Sequence, residues 1–233
     1  MKIAVISDIH GNLEALAAAL RIIKEQEIET TYCLGDIVGY GANPNECIDE
    51  LHSRNIPCLL GNHDEAVLDL SHVKRFNKYA RAAAEWTASQ LKSDHKEFLS
   101  HLPLSLVSKE CTFVHSSPDD PHAWNYILSQ AEAQRCFPFF TTPICWIGHS
   151  HVGGVYCEDG NTRIVRAGKR YLINVGAVGQ PRDGDWRLSF GIFDTEAWSY
   201  ERIRAEYDVE IACKKIMDAG LPHFLADRLR VGI

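Results

Sequence analysis

Ile3-Ala4-Val5-Ile6-Ser7-Asp8-Ile9-His10 opens with a nearly continuous apolar run, Ile3 to Ser7, and goes on to two metal-ligand residue types, Asp8 and His10. Consecutive apolar residues predict a strand buried on both faces, as in a parallel sheet covered by helices. Asn12 is a good N-cap for the next segment, where Leu13, Leu16, Ala17, Leu20 and Ile23 trace one helical face. Thr31 to Leu34 reads as a second strand, ending at Gly35-Asp36. Asn43-Pro44 places a capping residue before a proline at the first helical position and opens a helix to about Arg54. Ile56 to Leu60 reads as a third strand, ending at Gly61-Asn62-His63-Asp64. Such a β-α-β-α-β run predicts right-handed crossovers and a parallel sheet, whose strand ends gather distant residues into one site.

Working outward, Phe76, Tyr79, Ala83, Trp86 and Leu91 recur at helical spacing, and Ser93 opens a shorter helix through Leu99. These helices are expected to cover the sheet. Beyond Leu104 short strands dominate: Cys111 to His115, Ile144 to Gly148, Val155 to Cys157, Thr162 to Arg166 and Tyr171 to Val175. Glu158-Asp159-Gly160-Asn161 is a hairpin turn signal. Leu188 to Asp194 and Ser199 to Ala205 form another hairpin around Thr195-Glu196, and helices close the chain at about Val209 to Ala219 and Pro222 to Leu229. The simplest architecture is one domain over residues 1–233, an α/β fold with two packed sheets flanked by helices.

The chain has 233 residues and a net charge of −7, which argues against broad binding to a nucleic-acid backbone. An acidic protein that handles phosphates needs a local positive source, and bound metal ions are one. None of the 8 cysteines forms a C-x-x-C pair. Several lie in expected strands, as buried reduced thiols would. Lys2 leads straight into the first strand, so no secretory leader is expected, and no apolar run is long enough to span a bilayer. The expected compartment is the cytoplasm, with no membrane partner and no stable nucleic-acid complex. Oligomeric state is left open.

Five polar clusters punctuate these strands: Asp8-Ile9-His10, Gly35-Asp36, Gly61-Asn62-His63-Asp64, His115 and Gly148-His149-Ser150-His151. Carboxylate and imidazole are standard ligands for first-row metal ions. Asp8 with His10, and His149 with His151, stand two residues apart, and period-two strand geometry would point each pair the same way. Asn62 offers a neutral carbonyl oxygen. Asp36 sits in a glycine-flanked turn from which a carboxylate could bridge two ions.

The ordered set Asp8-x-His10, Gly35-Asp36, Gly61-Asn62-His63-Asp64, His115 and Gly148-His149-x-His151 resembles the calcineurin-like metallophosphoesterase family over the N-terminal two thirds of the chain. The resemblance implies a four-layer α-β-β-α sandwich of two mixed sheets flanked by helices. It implies one divalent ion on Asp8, His10, Asp36 and His151, and a second on Asp36, Asn62, His115 and His149, with Mn, Fe, Zn, Ni and Co as candidates. His63 would lie near the phosphate, oriented by Asp64. The implied chemistry is phosphoester hydrolysis by a hydroxide shared between the ions, with His63 protonating the leaving oxygen. The substrates would be small phosphodiesters, nucleotides among them.

The glycine-punctuated stretch from Asn174 to Asp185 reads either as a tight crossing loop or as a loop that sets Arg182 against substrate. Asn12, Tyr40, His122 and Trp124 are further candidates for the pocket wall. Protein Ser/Thr phosphatases of this superfamily carry an arginine soon after the glycine-aspartate motif. Here Gly39 and Tyr40 occupy that stretch, and Asp64 rather than glutamate follows His63. The pattern favours a diesterase over the alternatives, a phosphomonoesterase or protein phosphatase, and a non-catalytic scaffold of the same fold.

Overall fold

The computed structural model describes residues 1–108, 110–160 and 164–233. Its first sheet is built from both ends of the chain. Strand β1 (Lys2–Ile6) lies parallel to β2 (Thr30–Cys33) on one side. On its other side it pairs antiparallel with β8 (Leu188–Asp194), which in turn pairs with β9 (Ser199–Ala205). The second sheet runs β3 (Ser105–Val107), β4 (Cys111–Val114), β5 (Ile144–Ile147), β7 (Tyr171–Asn174), β6 (Gly154–Cys157). Within it β4, β5 and β7 are parallel and the two edge strands antiparallel. Both sheets are mixed, as expected.

Alternation along the strands builds three cores, and three cores separate four layers. Ile3 and Val5 face Phe113, Trp146, Ile173 and Phe193 in the core between the sheets. Ala4 and Ile6, one residue out of phase, face the opposite core with Phe190 and Ile192. Helices α1 (Leu13–Glu25), α2 (Pro44–Ser53), α4 (Lys78–Gln90), α5 (Ser93–Ser100), α7 (Val209–Asp218) and α8 (His223–Val231) contribute to that core. Cys145, Ile147 and Leu172 point away from the inter-sheet core and pack on α6 (Gln130–Cys136). The arrangement is the four-layer α-β-β-α sandwich. All eight cysteines are buried free thiols. Among the described residues no helix is long and apolar enough to cross a membrane.

Three expectations need correction. The expected third strand, Ile56 to Leu60, shrinks to a single parallel bridge between Cys33 and Cys58. Pro57 has no N–H to give the ladder, and Leu60 N donates to Pro103 O at 2.9 Å instead. Of the expected strand Thr162 to Arg166, Thr162 and Arg163 lie outside the described residues, as does Asn161 of the turn. Ile164 to Arg166 is not strand, since Arg166 N donates to the Tyr171 hydroxyl at 3.0 Å. Helix α6 is an addition to the expected elements, although Ser129-x-x-Glu132 is a start signal in the sequence. Ser129 Oγ accepts from Glu132 N at 3.2 Å.

Candidate metal centre

Four of the clusters lie beyond the C-terminal ends of β1, β2, β4 and β5, and the fifth, from Gly61 to Asp64, follows the single bridge at Cys58. Strand alternation is not what aims them. Asp8 and His10 lie past the end of β1 with φ of 54° and 51°, and His149 and His151 lie past β5 with φ of 63° and 60°. Asp36 has φ of 51°. The expectation of period-two pairing is therefore corrected: left-handed turn conformations converge these side chains. Non-glycine residues held in this region cost of order 1–3 kcal/mol each and persist only where surroundings hold them. Here backbone bonds hold them: Asp8 N to Gly35 O at 3.0 Å, His10 N to Asp36 O at 2.9 Å, and Gly179 N to Asp8 O at 2.9 Å.

Two buried groups result: Asp8, His10, Asp36 and His151, and Asp36, His115 and His149, each with ligand atoms within 4.8 Å of one another. Asp36 belongs to both. Its Oδ2 lies 3.5 Å from His10 Nε2 and 3.4 Å from His115 Nε2. Its Oδ1 accepts from His63 N at 2.8 Å. Asp8 Oδ1 lies 3.3 Å from His151 Nε2, while its Oδ2 accepts from His149 N at 3.0 Å.

Each imidazole has one ring nitrogen on a backbone carbonyl. His10 Nδ1 meets Val38 O at 3.0 Å, His115 Nδ1 meets Leu34 O at 3.1 Å, and His151 Nδ1 meets Gln180 O at 2.5 Å. His149 uses its other nitrogen, Nε2, against Trp124 O at 2.9 Å. A nitrogen that donates to a carbonyl leaves the second as a lone pair, the usual outer arrangement around a metal-ligating histidine. His10 Nε2 and His151 Nε2 then face each other at 3.1 Å, lone pair to lone pair. Burial pushes both imidazoles well below their ordinary pKa, so a proton does not relieve this contact. A cation does.

Other atoms carry the same demand. Asp8 Oδ1, Asn62 Oδ1 and His115 Nε2 are buried with no hydrogen-bond partner. Buried polar atoms left unsatisfied call for an explanation; Asp8 Oδ1 and Asn62 Oδ1 can act as acceptors toward a metal ion, and His115 Nε2 can once a metal displaces its proton. Burial raises the Asp8 carboxyl to about 7. Burial also disfavours charge on Asp36, yet His115 leads the groups holding its carboxyl well below the usual range. His115 itself is pushed up to about 9 against its burial, chiefly by Asp36. The donor set fits divalent cations.

His63 stands beside this cluster, in the first turn of α3 (Asn62–Leu68). Its ring packs against Tyr40, Phe76 and His10, with centroids 4.5, 4.6 and 4.9 Å away. Its Nδ1 is buried and unpartnered. The expectation that Asp64 orients the ring is not what the hydrogen bonds describe. At the third position of α3 the Asp64 carboxylate lies near the helix N-terminus, and it accepts from Gly61 N at 3.1 Å and Val38 N at 3.0 Å. It ties the Asp36 turn to the His63 helix. The ring is oriented by aromatic packing and by Gly39, where a Cβ would stand 2.7 Å from His63 Nδ1. With φ of 89° at Gly39 as well, Gly39→Ala is expected to cost about 1–3 kcal/mol and lower Tm by several degrees. An unchanged melting curve would contradict this close approach.

The candidates for the pocket wall separate. Asn12 is inward: its Oδ1 caps α1 at Ala15 N (3.1 Å) and its Nδ2 donates to Gly179 O (2.8 Å). Both ends of its amide are taken, so it is a tie between loops. Tyr40 lies edge-on to His10, with ring centroids 4.7 Å apart. Arg182 reaches the Tyr40 hydroxyl at 3.4 Å and Gln180 Oε1 at 3.0 Å. The stretch from Asn174 to Asp185 therefore both braces Asp8 and His151 and presents Arg182. His122 lines a cavity beside Asn62 and His149, as expected of a pocket-wall residue, and pairs with Glu65. Trp124 gives its carbonyl to His149 and its indole N–H to Glu65 Oε2 at 3.2 Å.

A cavity of about 800 Å³ opens beside Asn62 and His149. Its wall includes Phe76, Trp124 and Tyr126, with Lys74 and Arg75. Tyr126, which no sequence motif singles out, stacks on His149 at 4.3 Å. Glu65 is equally unmarked, yet it gathers His72, His122 and Trp124. No local pattern points to either residue, because their partners are brought in by other loops.

A family model described as the calcineurin-like phosphoesterase superfamily domain matches residues 1–197. An uncharacterized protein of Methanocaldococcus jannaschii is 42% identical over 240 residues, covering 99% of this chain and 98% of that protein. The crystal structure of a metallophosphoesterase from Sphaerobacter thermophilus is 38% identical, with a TM-score of 0.88 over 100% of this chain and 99% of that one. A hypothetical protein of Pyrococcus horikoshii shares the fold at 22% identity, with a TM-score of 0.87 over 100% of this chain and 98% of that one.

Proposed function

The chain belongs to the calcineurin-like phosphoesterase superfamily, and from that premise we propose that it hydrolyses phosphodiesters, nucleotides among them, at a centre for two divalent ions. The observation that carries this reading is Asp36 Oδ2, set between His10 Nε2 and His115 Nε2 at 3.5 and 3.4 Å. One carboxylate oxygen close to two buried ligand groups supports a two-ion centre. Asp8, His10, Asp36 and His151 would hold one ion; Asp36, Asn62, His115 and His149 the other. Nitrogen and oxygen ligands of this kind accept Mn, Fe, Zn, Ni or Co.

When bound, the ions supply Lewis-acid charge beside the phosphate oxygens and a water of lowered pKa. The protein's own groups do the rest. The carbonyls of Val38, Leu34, Gln180 and Trp124 fix the imidazoles in place. His63 handles the proton. Burial holds its imidazole down at about 4, with Asp36 working the other way. An anionic ester against the ring raises its affinity for a proton, which it passes to the leaving oxygen. The cavity beside His149, with aromatic and basic walls, suits an ester that carries a planar ring. A single domain over residues 1–233 and a cytoplasmic setting belong to the same proposal; eight free buried thiols support the latter.

The test is hydrolysis of bis(p-nitrophenyl) phosphate by purified protein with Mn²⁺, Ni²⁺ or Co²⁺. Turnover that is lost on chelation and restored by added metal is expected. No turnover with any of these ions would instead favour a binding scaffold.

A further inference from the structure

Arg182 and Arg228 converge on one ring at the edge of the candidate metal centre. Each guanidinium carbon lies 5.7 Å from the Tyr40 centroid. Arg182 also reaches the Tyr40 hydroxyl, through Nη2 at 3.4 Å. Tyr40 in turn lies edge-on to His10 and beside His63. Arg182 is tied to the centre through its backbone, with Arg182 N donating to His151 O at 3.3 Å. Arg228 comes from α8, beyond residues 1–197 that the family model covers. Its stem lies along Phe224, and its Nε donates to Ile233 O at 2.5 Å.

Neither arginine pairs with an Asp or Glu among the described residues. The acids nearest Arg182 in sequence are already taken: Asp183 by Arg204, and Asp185 by Arg187 at 2.7 Å. Arg182 Nε is buried with no hydrogen-bond partner. Two like charges, partly buried and gathered around one neutral ring, cost free energy that an anion between them would offset. Burial, followed by the charge of Arg182, pushes Arg228 down to about 10. In a chain of net charge −7 such a pair is conspicuous.

We propose that Arg182 and Arg228 form an anion subsite that receives a second negatively charged group on the phosphoester substrate, next to the group held at the metal centre. Guanidinium groups present forked donors that match phosphate and carboxylate oxygens. The preferred substrates are then phosphoesters bearing a further phosphate or carboxylate. The identity of the first group rests on the phosphoesterase reading; the anion subsite itself does not require turnover.

The test measures, by calorimetry on the protein as purified, the Kd of methylphosphonate, phosphonoacetate and 3-phosphonopropionate. The protein is expected to bind at least one carboxyphosphonate about 10-fold more tightly than methylphosphonate. R228Q should abolish that preference and R228K should keep most of it. R228M keeps the apolar stem over Phe224 and should abolish it too, which covers the case of R228Q failing to fold. No preference in the native protein, or a preference that survives in R228Q or R228M, overturns the proposal. Assay of bis(p-nitrophenyl) phosphate on the same preparations separates the two readings. Missing turnover counts against the phosphoesterase, and the Kd ratios alone decide the subsite.

Discussion

Replacement of His63 by alanine is expected to leave the metal content unchanged and, if His63 is the proposed proton donor, to lower kcat by roughly 10²–10⁴-fold, the usual contribution of such a group. The reason the metal should stay lies in the backbone. His63 touches Asp36 through its N–H, at 2.8 Å from Oδ1, and alanine keeps that N–H. Asn62, the neighbouring residue proposed as a ligand, sits one residue earlier on α3, whose start is held by the Asp64 carboxylate rather than by the His63 ring. What alanine removes is a buried imidazole whose Nδ1 has no partner and whose position is set by Tyr40 and Phe76. Elemental analysis beside steady-state kinetics reads both halves of the expectation. A variant that loses metal along with turnover would make His63 a ligand or a structural support.

Asp36→Asn is expected to have the opposite signature. Asparagine keeps the shape and can still accept from His63 N, so the turn should fold. The charge shared between His10 and His115 disappears. His115, pushed up to about 9 chiefly by Asp36 against its own burial, then loses its main counter-charge. Metal content should fall below one equivalent per chain. Turnover should fall by about 10³-fold or more, since Lewis-acid stabilisation is worth several kcal/mol and each 1.4 kcal/mol is a factor of ten. Retention of two equivalents with normal turnover would remove Asp36 from the shared position, and a single equivalent in the native protein would remove the two-ion proposal.

Much of the framework is legible along the chain because it is written locally. Ile3 to Ile6, the helical face after Asn12 and the hairpin around Thr195-Glu196 each report a period and a punctuation mark, and each forms close to the expected bounds. Failures occur where a distant partner outbids local propensity. Ile56 to Leu60 has the composition of a strand, but Pro57 lacks a donor and Pro103 draws Leu60 away. Asp8 with His10, and His149 with His151, look like alternating strand residues; in fact they are turn residues in the left-handed region, locked by bonds between loops.

The site divides in the same way. By itself the sequence determined the residue types, their order at strand ends and two packed sheets flanked by helices, because apolar periodicity and ligand chemistry are properties of short segments; the four-layer sandwich was implied by the family resemblance that those motifs carry. Tertiary structure alone decided that His10 and His151, 141 residues apart, set their Nε2 atoms face to face. It also decided that Asp64 braces two loops, that Asn12 turns inward, and that Arg228 of the last helix meets Arg182 over Tyr40. These depend on where whole loops and helices come to rest. That is set by packing among three cores, and no local spacing records it.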